Sequence, residues 1–305
     1  MGENMDDFMK NLEDCEILEN EPMSKHTTYK VGGKARYYIY PKNEMALIKV
    51  LKKCKENGIE TKIIGKGSNL LISDDDFDGA FIALDRYFSE ISFDGNQVSA
   101  YAGASIIFLS HEAMKRGLSG LEFASGIPGT VGGACFMNAG AYKKELKDIV
   151  DAVWVLKEED CIWMKPEECE FGYRSSIFKK HPDWVILAVR FNLEPADASE
   201  IKDLMDSRRE RRMASQPLDK PSAGSVFKNP EEKPAWQYIE EAGLRGKRIH
   251  GAMVSEKHAN FIVNEDQASA QDIRDLIELI QNQVKKEFGV SLKTEVECFN
   301  WKKRI

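Results

Sequence analysis

Two segments rich in glycine and small residues constrain the fold of this chain more than any other feature. GKGSNLL spans residues 65–71, and SGIPGTVGGACFMNAGAY spans residues 125–142. Glycine allows a positive φ and a close backbone approach, so that consecutive N–H groups can converge on an anion such as a diphosphate. Tight turns between strands would explain either segment alone equally well, but two such segments in one chain favour a ligand.

Neither segment carries a familiar nucleotide fingerprint. Gly65-Lys66-Gly67 is followed by Leu70 where a Rossmann motif needs glycine, and the sequence has no G-x-x-x-x-G-K-[ST] motif. A Rossmann dehydrogenase or a P-loop NTPase is therefore disfavoured. The pattern favours a dinucleotide held by a different scaffold.

The first third of the chain alternates between helix and strand patterns. Asn43 can cap a helix that ends at Gly58 and whose apolar positions recur at helical spacing, namely Leu47, Leu51 and Cys54. The apolar runs TKIIG, FIAL and VSAYAG then predict strands. This alternation is typical of an α/β fold.

Later segments predict a sheet core and two helices. DAVWVL and WVILAVRFNL read as strands, and the second is too long and apolar for an exposed edge. Asp197 or Ser199 can begin a helix that reaches a run of arginines, through the apolar positions Ile201, Leu204 and Met205. A last helix begins at Ser269 and Asp272 and ends at Gly289, with an apolar face of Ile273, Leu276, Ile277, Ile280 and Val284.

Composition and charge argue against several classes of protein. The net charge of −7 opposes a nucleic-acid-coating role, which requires a dense positive surface. The six cysteines include no C-x-x-C pair and the five histidines no pair at i and i+4, so we expect neither a disulfide framework nor a metal site. Because no apolar stretch could cross a membrane and the first residues do not resemble a secretory signal, we expect a cytoplasmic protein.

Five motifs follow one another along the chain: GKGSNLLISD, ASGIPGTVGGACFMNAGAY, FGYRSSIF, QPLDKPSAGSVFKNP and HANFIVN. In this order and spacing they closely resemble the UDP-N-acetylenolpyruvoylglucosamine reductase (UDP-N-acetylmuramate dehydrogenase) family. The resemblance implies an α/β and α+β protein: an FAD-binding fold of the vanillyl-alcohol-oxidase (PCMH) type in two subdomains, and a separate α+β substrate-binding domain. It implies NADPH-dependent reduction of UDP-N-acetylglucosamine enolpyruvate to UDP-N-acetylmuramate through bound FAD, in bacterial peptidoglycan precursor synthesis.

Together with the pattern change near residue 206, the resemblance predicts the domain limits. We expect FAD-binding subdomains over residues 1–85 and 86–205, a substrate domain over 206–291, and a C-terminal segment, 292–305, that returns to the active site. A monomer is compatible with these features.

The resemblance also implies the binding residues. Those for FAD are Gly65, Gly67, Ser68, Asn69, Gly126, Ile127, Pro128, Gly129, Thr130, Gly132, Gly133, Asn138 and Ala139. Those for the UDP-sugar are Gln216, Lys228 and Asn229. Two residues have an alternative interpretation: Thr130 as a cap of the following turn, and Tyr142 as either a neighbour of the flavin or a packing residue.

The implied catalytic residues are Arg174, Ser225 and Glu295. A planar guanidinium suits Arg174 to a substrate carboxylate and to the negative charge that develops beside it. Ser225 would then protonate the basic carbon, and Glu295 would position substrate, act as an acid or hold a water. Outside the motif context, a salt bridge, a turn residue and a surface carboxylate would be the ordinary interpretations.

The sequence departs from the family pattern in two places. The end of the chain reads EVECFNWKKRI, so Glu297 competes with Glu295 as the functional carboxylate, because residues two apart on a strand share a face. Residues 148–183 also lack the long insertion that carries a substrate-binding tyrosine in one branch of the family, which indicates the shorter branch.

Two other functions remain open. The same fold could serve an FAD oxidase that passes electrons to oxygen, although no histidine or cysteine stands in a flavin-tethering context. The chain could also be a regulator that binds flavin or a UDP-sugar without catalysis. The presence of Arg174, Ser225 and Glu295 together argues against a pure binding protein.

Overall fold

The computed structural model describes residues 9–301. Its helices are α1 (Glu44–Glu56), α2 (Ile106–Lys115), α3 (Val131–Met137), α4 (Ala198–Ser215), α5 (Ala235–Glu241) and α6 (Ala270–Phe288). Its strands are β1 (Cys15–Pro22), β2 (Lys34–Pro41), β3 (Glu60–Ile64), β4 (Leu70–Ile72), β5 (Phe77–Ala83), β6 (Ile91–Asp94), β7 (Gln97–Tyr101), β8 (Leu118–Ser119), β9 (Gly140–Ala141), β10 (Lys144–Glu145), β11 (Val150–Lys157), β12 (Asp160–Met164), β13 (Val185–Asn192), β14 (Glu194–Pro195), β15 (Arg248–Ile249), β16 (Ala252–Val254), β17 (Ile262–Asn264) and β18 (Glu297–Phe299). No helix among residues 9–301 is long and apolar enough to cross a membrane.

The chain folds into two compact units that are discontinuous in sequence. Among the described residues, the first unit comprises residues 9–20, Arg36–Lys66 and Asp78–Arg209. The second comprises Glu21–Ala35, Gly67–Phe77 and residues 210–301. Each unit has its own hydrophobic core.

One sheet of the first unit has the strand order β1-β2-β5-β3, in which β3 and β5 run parallel. The helix α1 precedes β3. The Asn43 side chain accepts the N–H of Ala46 at 2.9 Å at its start, and Gly58, with a φ of 68°, follows its end. The helix predicted from Asn43 to Gly58 is therefore confirmed.

A second sheet of the first unit has the order β12-β11-β13-β7-β6. Strand β13 pairs antiparallel with both β11 and β7, so it lies inside the sheet, as the long apolar run WVILAVRFNL predicts. Its alternate side chains enter the same core as the buried residues of α2 and α3.

Helix α4 begins after Asp197, whose carboxylate accepts the N–H of Ser199 at 2.7 Å. Ile201 and Met205 are buried, whereas Leu204 is 44% exposed. The expectation that Leu204 lies on the apolar face is wrong, because α4 buries only a narrow i, i+4 stripe and Leu204 lies at its edge. The predicted change of domain at residue 206 falls inside this helix.

The second unit is built around α6. Ser269 and Asp272 form a reciprocal capping box, in which each side chain accepts the backbone N–H of the other, and Gly289 ends the helix with a φ of 72°. All five residues of the predicted apolar face are buried, which confirms this helix. The unit also contains the antiparallel sheet β15-β16-β17 and the parallel pair β4 and β18.

Candidate active site

The first glycine segment begins directly after β3. A Cβ on Gly67, which has a φ of 59°, would lie 2.1 Å from the carbonyl oxygen of His26, so only glycine fits there. Lys66 pairs with one oxygen of Asp85 at 2.8 Å. Within the described chain, the other oxygen of Asp85 is buried and has no hydrogen-bond partner. Ser68 and Asn69 are half-buried.

The second glycine segment forms a turn and the start of α3. The turn residues Gly126, Ile127 and Gly129 are half-buried and Pro128 is exposed. Thr130 is the N-cap of α3, and its hydroxyl accepts the N–H of Gly133 at 3.2 Å. This bond confirms the capping interpretation of Thr130.

The turn leaves backbone donors available to a ligand. Gly132 donates its N–H to Ala102 at 2.8 Å, and a Cβ on Gly132 would lie 2.8 Å from that of Ala102. The N–H groups of Gly129 and Thr130 donate to no acceptor among residues 9–301. Together with the unpartnered oxygen of Asp85, these groups fit a ligand that, like FAD, carries both anionic and hydroxyl groups.

Asn138 and Ala139 end α3. Asn138 is fully buried in the left-handed conformation, with a φ of 43°. Its side chain donates to the carbonyl oxygen of Gly172 at 2.9 Å and accepts the N–H of Lys147 at 3.0 Å. Ala139 donates its N–H to Ala134 at 2.8 Å. The polar groups of Asn138 therefore connect three segments of the first unit.

Arg174 lies in a tight turn between Gly172 and Ser175, which are paired by two backbone hydrogen bonds of 3.0 and 3.1 Å. Its φ is 54°, a left-handed conformation that is uncommon for residues other than glycine and asparagine. The guanidinium donates to the carbonyl oxygen of Gly140 at 2.7 Å, and only 17% of the side chain is exposed. Arg174 is thus held against the end of the second glycine segment.

Tyr142 packs against α4. Its hydroxyl donates to the carbonyl oxygen of Arg208 at 3.0 Å, and the guanidinium carbon of Arg208 lies 4.8 Å from its ring centroid. These contacts support the packing interpretation of Tyr142.

In the second unit, the segment that carries Ser225 pairs through its backbone with the segment that carries Glu295. Glu295 donates its N–H to the carbonyl oxygen of Val226 at 2.8 Å, and Val226 is the neighbour of Ser225. The side chain of Asn69 donates to the carbonyl oxygen of Glu295 at 3.0 Å. Asn69 and Glu295 are therefore joined by a hydrogen bond, and Ser225 adjoins the residue that pairs with Glu295.

The segment that carries Ser225 is fixed from its other side by Asn260, a residue whose role the sequence did not predict. Phe227 donates its N–H to the Asn260 side chain at 3.0 Å, and the Asn260 amide donates back to the Phe227 carbonyl at 2.8 Å. The Asn260 N–H donates to Nδ1 of His258 at 3.2 Å. Burial and the nearby Arg245 lower the pKa of His258, which favours the neutral ring that this bond requires. The motif HANFIVN contained the signal, but only the fold gives Asn260 its partner.

The predicted substrate residues lie in the second unit. Gln216 follows α4, and its side-chain oxygen is buried without a partner in the described chain. Lys228 donates its N–H to Lys293 at 2.9 Å, while the exposed Asn229 accepts the N–H of Ala235 at the start of α5 at 3.1 Å. The buried, unpartnered oxygen of Gln216 makes this residue a candidate for contact with a ligand.

Comparisons with known proteins agree with this architecture. The family model of an FAD binding domain matches residues 35–160, and that of the C-terminal domain of UDP-N-acetylenolpyruvoylglucosamine reductase matches residues 216–299. The reductase of that name from Carboxydothermus hydrogenoformans is 47% identical over 282 residues, which are 92% of this chain and 93% of the relative. The reductase from Clostridioides difficile is 45% identical over 283 residues, which are 92% of this chain and 93% of the relative.

A solved structure extends the likeness to the fold. The crystal structure of UDP-N-acetylenolpyruvylglucosamine reductase from Thermus caldophilus matches with a TM-score of 0.80 and 34% identity, over 94% of this chain and 99% of that one. The expected FAD-binding fold with a separate C-terminal domain is therefore confirmed. At these identities and coverages, the chain belongs to the UDP-N-acetylenolpyruvoylglucosamine reductase family.

Proposed function

We propose that this chain catalyses the NADPH-dependent reduction of UDP-N-acetylglucosamine enolpyruvate to UDP-N-acetylmuramate through bound FAD, in peptidoglycan precursor synthesis. The chain belongs to the reductase family, and the structural observation that carries the proposal is the backbone pairing of Glu295 with Val226, the neighbour of Ser225. Ser225 and Glu295, which are far apart in sequence, thereby lie on adjacent backbone segments. A hydroxyl and a carboxylate carried by neighbouring segments suit the delivery of a proton.

Arg174 is the proposed clamp for the substrate carboxylate. FAD, when bound, supplies the hydride that reduces the enolpyruvyl double bond. Negative charge then develops next to the carboxylate, and a guanidinium held at a fixed position stabilises that charge without reorganising. The bond from Arg174 to Gly140 at 2.7 Å fixes one side of the guanidinium fork.

Ser225 is the proposed proton donor to the carbon beside that carboxylate, and Glu295 the residue that positions the substrate or supports the proton transfer. Ser225 follows Gly224, whose φ is 74°, so the serine leaves a tight turn and enters a segment paired on both sides. A poor acid such as a hydroxyl must be well oriented to act on carbon. The pairing of its neighbours provides that orientation.

The remaining assignments follow the same reasoning. We assign FAD binding to the two glycine segments, with the N–H groups of Gly129 and Thr130 as donors to its anionic part. We assign the UDP part of the substrate to the second unit, with Gln216 and Lys228 as contacts, and Asn138 to the support of the cofactor segment. Residues 148–183 contain β11, β12, two short 3₁₀ helices and turns, without a long insertion, which supports membership of the shorter branch of the family.

The experiment is an anaerobic titration of the FAD-loaded protein, followed by its visible spectrum. We expect NADPH to bleach the flavin and UDP-N-acetylglucosamine enolpyruvate to restore its colour. Arg174→Ala and Ser225→Ala should retain FAD and be bleached by NADPH, but regain colour at least ~100-fold more slowly with the substrate.

Arg116→Ala is the matched control, because Arg116 also holds a carboxylate, that of Glu112, but on a helix outside the proposed site. It should behave as the natural sequence does. Normal reoxidation by substrate in both site variants would refute the residue roles. Colour that returns only with oxygen in the natural sequence would instead indicate an oxidase.

A further inference from the structure

We propose that Glu145, together with Asn138, is a positioning residue for Arg174, an inference that rests on the proposed role of Arg174 at the substrate carboxylate. Glu145 ends the short hairpin of β9 and β10, and its side chain is only 20% exposed. It was absent from the residues predicted from the sequence. Its contacts, however, join Asn138, Lys147 and the arginine.

The conformation of Arg174 requires support from its surroundings. A left-handed residue in the centre of a tight turn is strained unless it is glycine, and such strain persists only where neighbouring contacts hold it. Asn138 provides one of these contacts by donating to the carbonyl oxygen of Gly172, the first residue of the turn. The hydroxyl of Ser176, just after the turn, donates to the carbonyl oxygen of Phe136 at 2.6 Å.

Glu145 joins this turn to the hairpin. One carboxylate oxygen accepts from the Asn138 amide at 3.2 Å and from Lys147 at 2.9 Å. The other lies 3.9 Å from the Arg174 guanidinium, whose second nitrogen donates to Gly140 at the opposite end of the same hairpin. A Cβ on Gly140 would lie 2.4 Å from the carbonyl oxygen of Lys144, so the hairpin tolerates only glycine there.

The distance between Glu145 and Arg174 indicates a positioning role and not a close ion pair. At 3.9 Å the carboxylate of Glu145 attracts the guanidinium without taking a hydrogen bond from it. The full charge-assisted bonds of Glu145 go to Asn138 and Lys147 instead. Glu145 therefore acts on Arg174 as a nearby anion and not as a direct hydrogen-bond partner.

The test compares ligands with and without that carboxylate. FAD-loaded protein is titrated with UDP-N-acetylglucosamine enolpyruvate and with UDP-N-acetylglucosamine, and binding is read from the change in the flavin spectrum. In Glu145→Gln the side chain keeps its length but loses its charge, so that it no longer attracts the Arg174 guanidinium. We expect affinity for the enolpyruvyl sugar to fall about tenfold, equivalent to one charge-assisted hydrogen bond, and affinity for UDP-N-acetylglucosamine to stay unchanged.

Glu112→Gln is the matched control. Glu112 likewise has a lysine and an arginine as neighbours, at 2.8 and 2.6 Å, and is 18% exposed, but it lies on α2. It should bind both ligands normally. Tighter binding of the enolpyruvyl sugar to Glu145→Gln would overturn the proposal, because it would make Glu145 only an opposing charge; equal binding would overturn it as well.

The natural sequence and Arg174→Ala separate this inference from the proposed function. If the natural sequence prefers the enolpyruvyl sugar and Arg174→Ala loses that preference, the role of Arg174 stands whatever Glu145→Gln does. If Arg174→Ala keeps the preference, the proposed function of Arg174 fails first.

Discussion

Replacing Asn260 by alanine should destabilise the second unit strongly, because the Asn260 side chain serves as the missing strand partner of Phe227. Residues 293–296 pair with one edge of the segment Val226–Lys228, through its neighbours on either side of Phe227. The N–H and C=O of Phe227 itself point the other way and are satisfied by the Asn260 amide, at 3.0 and 2.8 Å. Both residues are almost completely buried, at 3% and 1% exposure.

The magnitude follows from the two groups left unsatisfied. A buried backbone donor or acceptor without a partner costs about 1–3 kcal/mol, so Asn260→Ala should lose about 2–5 kcal/mol of the free energy of unfolding. Asn260→Asp should lose at least as much, since its carboxylate would face the carbonyl oxygen of Phe227. Domains of ordinary stability have about 5–15 kcal/mol in total, so the loss is large enough to measure easily.

The assay is urea unfolding followed by far-ultraviolet circular dichroism, with the FAD concentration held constant because a bound ligand adds its own stability. Asn57→Ala is the control, since the exposed Asn57 makes one side-chain bond, to the Lys53 carbonyl at 2.8 Å. It should change stability by less than about 0.5 kcal/mol. A loss below about 1 kcal/mol for Asn260→Ala would refute the reasoning, because Phe227 would then have found other partners.

Two further variants test the glycine segment and the helix cap. Gly132→Ala places a Cβ 2.8 Å from that of Ala102, so we expect weaker FAD retention on gel filtration and a lower thermal midpoint, whereas full retention would show that α3 can shift. Asp272→Asn should cost about 1 kcal/mol at neutral pH through loss of its cap. Partial burial acts to raise the pKa of the Asp272 carboxyl, but hydrogen bonds from His250 and from Ser269 at the start of the helix lower it overall. The stability that Asp272 contributes is therefore complete above its unfolded pKa of about 4 and is lost as the pH falls through its lower folded pKa. The free energies of unfolding of the natural sequence and of Asp272→Asn should converge at that low pH. A difference that stays constant with pH would contradict this.

Local signals in the sequence predicted the elements that local chemistry decides. The helix from Asn43 to Gly58 and the helix from Ser269 to Gly289 were readable because cap residues and a 3.6-residue apolar period act within one segment. The internal position of β13 followed from its unbroken apolar run. Leu204 was misjudged because its exposure depends on how much of α4 the rest of the first unit covers, which no local pattern specifies.

These local signals could not reveal which residues hold the proposed site in place. Glu145 and Asn260 are ordinary polar residues in the sequence, and their roles arise from partners that only the fold brings near. Asn138 was predicted from the family resemblance as a cofactor residue, yet its neighbours in the sequence do not reveal that its amide connects three segments. Buried polar networks depend on long-range pairing, whereas helices and caps depend on neighbours in sequence.

The choice between Glu295 and Glu297 shows what the fold adds. From sequence, both would lie on one face of a strand, so alternation cannot separate them. In the structure, β18 begins only at Glu297, which donates its N–H to Asn69 and pairs opposite Leu70. Glu295 precedes that strand and pairs with Val226, beside Ser225. If Ser225 is the proton donor, as proposed, this difference in backbone partners favours Glu295 as its supporting carboxylate, and Glu295→Gln should slow turnover far more than Glu297→Gln.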